Sequence, residues 1–241
     1  MQSATINFEI LMNTKCLIGA VVVLGAIGAA PAVMANSIVL TQTAYSYADG
    51  GEFTAHTSPQ DFLGAYVPST MVNGGFQTFC VEASVTFVPG TTYSYTLSNM
   101  DSQGRALTKG AAFLYYEFAT GILSGYDYNN AANRQIDAGQ LQSAIWNLQG
   151  NQSGGGSFPT GGTGNSFYDL AVANLGAANV MAADNGSSVV QILQLWDDAG
   201  NAHQNQLVLV HVPDAGSSSA LMAMGLAGLG VAKFRTRRVA K

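Results

Sequence analysis

The sequence predicts an α+β fold, an antiparallel β-sheet or β-sandwich with a helical section inserted between two groups of strands. Residues 37–97 hold runs of β-branched and aromatic side chains broken by Gly and Pro. Residues 107–182 switch to helical spacing, and residues 189–212 return to strand-like runs. Strands segregated from helices in this way argue against alternating βαβ units.

The first strand is predicted at 37–47, where Ile38, Val39, Leu40, Tyr45 and Tyr47 sit among Ser and Thr in partial alternation. Gly50 and Gly51 are read as its end, residues 53–57 as a short strand, and 59–75 as a loop. The run 76–88 reads as a long central strand. Phe76, Thr78 and Cys80 occupy one parity and Gln77, Phe79 and Val81 the other, so both faces hold apolar residues. Pro89-Gly90 then turns the chain into a strand at 91–97, predicted to pair with 76–88 as a hairpin.

A proline-free run predicts a helix at 107–120, ended by Gly121. The second helix is predicted at 134–148, with Ile136, Leu141, Ala144, Ile145 and Leu148 lining one face and Trp146 in the core. Residues 150–164, rich in Gly and Ser, form a loop, and a third helix follows at 167–182. The last strands are predicted at 189–196 and 206–212.

Domain organisation follows from the two ends. Residues 1–35 contain an apolar segment closing in Pro31, Val33 and Ala35, which is expected to be a secretory signal peptide; Met12, followed by Asn-Thr-Lys, is the expected true start. Residues 36–211 are expected to be one extracellular α+β domain, since that length supports one core. Residues 212–241 are expected to be a sorting and anchor segment. There Val212, Pro213, Asp214 and Gly216 precede an apolar run at 220–232, and the basic cluster Lys233, Arg235, Arg237 and Arg238 follows. The run is shorter than the about 20 residues that cross a bilayer comfortably. The basic cluster favours the cytoplasmic side of a membrane.

This order of small polar motif, apolar helix and basic end resembles the tripartite tail of the PEP-CTERM class of bacterial sorting signals, in its Val-Pro-Asp-x-Gly variant. The resemblance implies an exosortase as partner, membrane attachment through the C-terminal helix, and delivery to the cell surface or extracellular matrix. Extracellular polysaccharide or surface amines are the expected contacts of such a protein.

Composition narrows the function classes. Lys and Arg number 9 against 14 Asp and Glu, for a net charge of −5. Between residues 36 and 219 the basic residues are Arg105, Lys109 and Arg134 alone, so a nucleic-acid partner is excluded: nothing would neutralise its phosphates. Of the 2 cysteines, Cys16 leaves with the signal peptide. Cys80 then has no internal disulfide partner.

Two short motifs stand out in the body: Phe79-Cys80-Val81-Glu82, and Leu141-Gln142-Ser143-Ala144-Ile145-Trp146. Together they resemble the thioester domains of bacterial surface adhesins, with Leu141 where the adhesin motif has Thr. That resemblance implies a Cys80–Gln142 thioester, formed by attack of the thiol on the side-chain amide with loss of ammonia. The alternative is a buried apolar thiol at Cys80 and a surface glutamine at Gln142. The literal Thr-Gln-x-Ala at Thr41 to Ala44 lacks the following Ile-Trp and is set aside.

No enzyme activity, cofactor or metal is expected. His56, His203 and His211 lack zinc-ligand spacing, and Gly154-Gly155-Gly156 lacks the lysine of a phosphate loop. Asp197, Asp198 and Asn201 read as a solvated turn rather than a calcium site. Tyr93, Tyr95, Tyr115, Tyr116, Tyr126 and Tyr128 are candidates for a glycan-binding surface or, more simply, half-buried packing. The expected function is that of an exported surface or matrix protein, structural or adhesive. A covalent adhesin is the alternative, and a secreted hydrolase a second one.

Overall fold

The computed structural model describes residues 36–48, 50–58, 70–151 and 159–210. The signal-peptide and sorting-tail expectations, and residues 59–69 and 152–158 of the expected loops at 59–75 and 150–164, lie outside these residues. Ten elements occur in order: β1 (Ser37–Tyr47), β2 (Gly50–Ser58), β3 (Met71–Val72), β4 (Gly75–Thr78), β5 (Thr92–Ser98), α1 (Lys109–Ala119), α2 (Ala131–Leu148), α3 (Ser166–Leu175), β6 (Val190–Trp196) and β7 (Ala202–Leu209). The domain is α+β, with the three helices inserted between β5 and β6.

The strands form one seven-stranded sheet of order β3-β4-β2-β1-β5-β6-β7, antiparallel at every pairing. Gly50 and Gly51 open β2 instead of ending β1: Tyr47 pairs with Gly50, the turn residue Ala48 takes a positive φ of 48°, and Gly51, with φ 79°, sits beyond the turn opposite Ser46 beside the irregular stretch of the β1–β2 pairing. The predicted strand at 76–88 is cut short. β4 pairs with β2 only through Thr78, after which the chain leaves β2 and Cys80 bridges to Gln206 of β7. Leu207 N–H donates to Phe79 O at 3.0 Å and Val81 N–H to Asn205 O at 2.9 Å. Residues 79–81 therefore join the far edge strand, and the sheet is brought round on itself through this segment. The predicted 76–88/91–97 hairpin does not form, because β5 pairs with β1 and β6.

Each helix starts on a side-chain cap. Thr108, Asn130 and Asn165 accept from backbone N–H groups of the first turns of α1, α2 and α3, satisfying donors that have no partner inside a helix. α3 stops at Leu175, well before the predicted 182, because Gly176 with φ 82° closes it. β7 begins at Ala202 rather than 206.

Two apolar clusters divide the main core. Ile38, Leu40, Phe76, Tyr93, Tyr95, Leu193, Leu195 and Val208 pack together on the strands. Phe79, Leu114, Phe118, Leu141, Ile145, Phe167, Ile192 and Leu207 pack helices against the sheet. On α2 the buried set includes Leu141, Ala144, Ile145 and Leu148 as predicted, but Ile136 is 52% exposed. Arg134, one turn before Ala138, takes the inward place through a buried ion pair.

Candidate functional site

The site forms where three parts of the chain converge: residues 79–82, α2 and β7. Cys80 lies between two hydrogen-bonded pairs on the β7 side, Phe79 with Leu207 and Val81 with Asn205. A residue in that place lies opposite its partner without sharing backbone bonds, which is the closer of the two cross-strand arrangements for side chains. The partner is Gln206. Its Nε2 lies 3.5 Å from Cys80 Sγ and 3.3 Å from Gln204 O, while its Oε1 is buried and accepts nothing.

The backbone N–H and C=O of Cys80 have no strand on their other side. Gln142 replaces one. Its Oε1 accepts from Cys80 N–H at 2.9 Å and its Nε2 donates to Cys80 O at 2.7 Å, so one carboxamide imitates a neighbouring strand. This satisfies two backbone groups that would otherwise be buried without partners. Cys80, Gln142 and Gln206 are all fully buried. The structure thus brings Cys80 and Gln142 into contact, through the cysteine backbone and not through the thiol that the motif resemblance implies. The Gln142 amide engages the cysteine backbone, and the amide at the thiol belongs to Gln206.

Apolar walls enclose the thiol. Phe53 of β2 and Trp146 of α2 pack with Cys80, and half-buried Ala83 and Phe87 lie against them, with Phe53 and Phe87 edge to face at 4.9 Å. Parity separates the neighbours: Val81 and Phe79 face the helical cluster with Ile145, whereas Cys80 faces Trp146. Burial pushes the Cys80 thiol up to about 12, with the Glu82 charge adding to the rise and the Gln206 hydrogen bond opposing it.

Glu82 fixes the register of this meeting. Asn205 N–H and Nδ2 donate to its two carboxylate oxygens at 2.8 and 2.6 Å, Ser102 Oγ donates at 3.0 Å, and Gln204 Nε2 donates to Glu82 O at 2.6 Å. Burial raises the Glu82 carboxyl, against the lowering effect of the Asn205 and Ser102 bonds. Because Gln204 and Asn205 immediately precede Gln206, these contacts help hold Gln206 in place on β7.

A second buried cluster ties β2 to α2. Arg134 grips Glu52 through Nε at 2.7 Å and Nη2 at 2.8 Å, Tyr126 donates its hydroxyl to the same carboxylate, and the guanidinium stacks 4.2 Å from the Tyr45 ring centre. Burial raises Glu52 while Arg134 opposes it. For Arg134, burial acts downward and the bond and charge of Glu52 more than offset it, keeping the guanidinium charged.

The other sequence candidates resolve separately. Tyr93, Tyr95, Tyr115 and Tyr126 are buried, which removes them from a glycan-binding surface; Tyr116 is 40% exposed and Tyr128 half-buried. Asp197 caps a turn through Ala199 N–H, Asn201 and His203, and the Asn201 bonds hold its carboxyl down to about 2. Among the described residues no three His, Cys, Asp or Glu side chains converge as a metal-binding group would. The sorting-motif residues and the basic cluster lie outside the described residues. Sequence reasoning missed Gln206, although Gln204 and Gln206 are conspicuous as polar residues leading into the apolar run 207–210. Comparison with protein families, with characterised proteins and with solved structures returns no match.

Proposed function

We propose that this chain is an exported bacterial surface or extracellular-matrix protein with an adhesive body, sorted by an exosortase and held at the membrane through residues 212–241. We propose further that its adhesion is covalent, through a thioester at Cys80. One observation carries the covalent part: the thiol left after signal removal faces, at 3.5 Å and out of water, the amide of Gln206, whose oxygen has no partner. A buried polar atom without a partner costs about 1–3 kcal/mol. Converting the amide to a thioester removes the NH2 group and leaves a weaker acceptor in its place.

The reaction balances without a redox partner. Cys80 sulfur bonds to the Gln206 side-chain carbonyl carbon, the carbon–nitrogen bond breaks, and ammonia leaves with the thiol proton. An external amine then attacks the same carbon and releases Cys80 as a thiol. The geometry favours Gln206 over Gln142 as acyl donor because both polar atoms of Gln142 are engaged with the Cys80 backbone.

Incubating the purified protein with methylamine and mapping the added mass tests the assignment. N-methylation of Gln206 is expected. Modification at Gln142 would restore the pairing implied by the motif resemblance, and no modification at either would favour a second, purely structural reading. That reading is supported by the depth of Cys80 and by Gln142 acting as a strand mimic. For the anchoring part, deleting residues 212–241 is expected to release the protein into the medium, and retention at the envelope would contradict it.

A further inference from the structure

The outer face of α1 carries a groove unconnected with Cys80. Lys109, Ala112, Phe113 and Tyr116 follow one another at helical spacing along that face, while Ala111, Leu114, Tyr115 and Phe118 are buried on the other. Leu175 at the end of α3 and the segment Asp184 to Val189 leading into β6 supply the opposite wall. The groove is open to solvent along one side and has a volume of about 360 Å³. That is the lower end of the roughly 300–1,000 Å³ typical of small-molecule sites.

We propose that this groove binds a carboxylated saccharide. Three chemistries meet there. Tyr116, 40% exposed, and half-buried Phe113 offer ring surface for the C–H face of a sugar. Ser187 commits its hydroxyl hydrogen to Asp184 Oδ1 at 2.8 Å, so its oxygen lone pairs remain to accept from a ligand hydroxyl. Asp184 itself is nearly buried and further occupied by Ser188 N–H and Oγ, each at 3.0 Å, which holds the wall in shape.

Charge selects the acidic sugar. Among the described residues Arg105 and Arg134 are committed to Asp101 and Glu52, and Lys109 is the remaining Lys or Arg, without an ion pair. In a chain of net charge −5, a cation left unmatched at the end of an aromatic strip is complementary to a ligand carboxylate. An acyl chain has no hydroxyl for Ser187, and a neutral sugar would leave Lys109 unmatched.

Calorimetric titration of the full-length protein with digalacturonate and with the neutral disaccharide cellobiose tests the proposal, independently of any thioester. Saturable binding of digalacturonate is expected, with cellobiose weaker. Lys109→Gln should weaken digalacturonate binding about tenfold, the scale of one lost charge-assisted hydrogen bond, and abolish the preference over cellobiose. Tyr116→Ala should weaken both sugars; Ser187→Ala, at an exposed position off the helix, should do the same. Absence of digalacturonate binding, equal binding of cellobiose by the unaltered protein, or folded variants that bind unchanged would overturn it.

Discussion

Arg134 shows at the scale of one residue how this protein uses its few cations. It is 3% exposed and meets Glu52 with two bonds, so the pair is stable only as a pair. Arg134→Met is expected to cost roughly 3–5 kcal/mol by leaving a buried carboxylate uncompensated. Adding Glu52→Leu should recover much of that loss, as read from urea unfolding midpoints. An equal loss in the single and double variants would contradict the ion-pair account. Glu82 gives a prediction with a sign. Burial raises its carboxyl above the ordinary 4.5, so the folded state holds that proton more tightly than the unfolded chain does. The contribution of Glu82 is therefore fully present below 4.5 and falls as pH rises through the folded value. Relative to Glu82→Gln, the unaltered protein should lose stability as pH climbs from that point towards neutrality; a rising difference would contradict the assignment.

Helix α2 is the element on which the site depends, and its placement turns on Gly139. A Cβ there would come within 2.6 Å of the Tyr47 ring of β1, so the helix approaches the sheet closely only because the side chain is absent. Gln142 lies on the same side one turn later and reaches Cys80. Gly139→Ala is expected to destabilise by about 1–3 kcal/mol through overpacking, although alanine is intrinsically the better helix former by about 1 kcal/mol. Tyr47→Ala in the same chain should relieve the overpacking, and additive losses in the double variant would show that the two residues do not meet. Much of this element was legible in the sequence, since Leu141, Ala144, Ile145 and Leu148 repeat at helical spacing and are all buried. Ile136 fits the same spacing and is exposed, because spacing does not register a buried ion pair that takes the inward place. Gln142 was legible only as part of a motif. A glutamine bonded to another segment's backbone carries no hydrophobic signal, and its burial follows from the Cys80 groups it satisfies.

Across the whole molecule, the feature hardest to foresee is the route of residues 76–82. Apolar side chains on both parities correctly indicate a segment buried on both sides, but the pattern does not say which strand lies alongside. Here the neighbour changes from β2 to β7 within a few residues, which closes the sheet on itself and sets Cys80 opposite Gln206. The hairpin expected from Pro89-Gly90 fails for the same reason, since β5 finds its partners in β1 and β6. A bond between Cys80 and Gln206 would sit on that seam, joining residues 126 positions apart in the sequence. The intact mass of the purified protein, compared with Cys80→Ala and Gln206→Glu variants, tests this most directly. A Cys80–Gln206 thioester gives a mass one ammonia below the sequence mass for the unaltered protein, full mass for both variants, and resistance of Cys80 to alkylation even after denaturation. A full sequence mass, with Cys80 reacting as an ordinary thiol once the protein is unfolded, would contradict it.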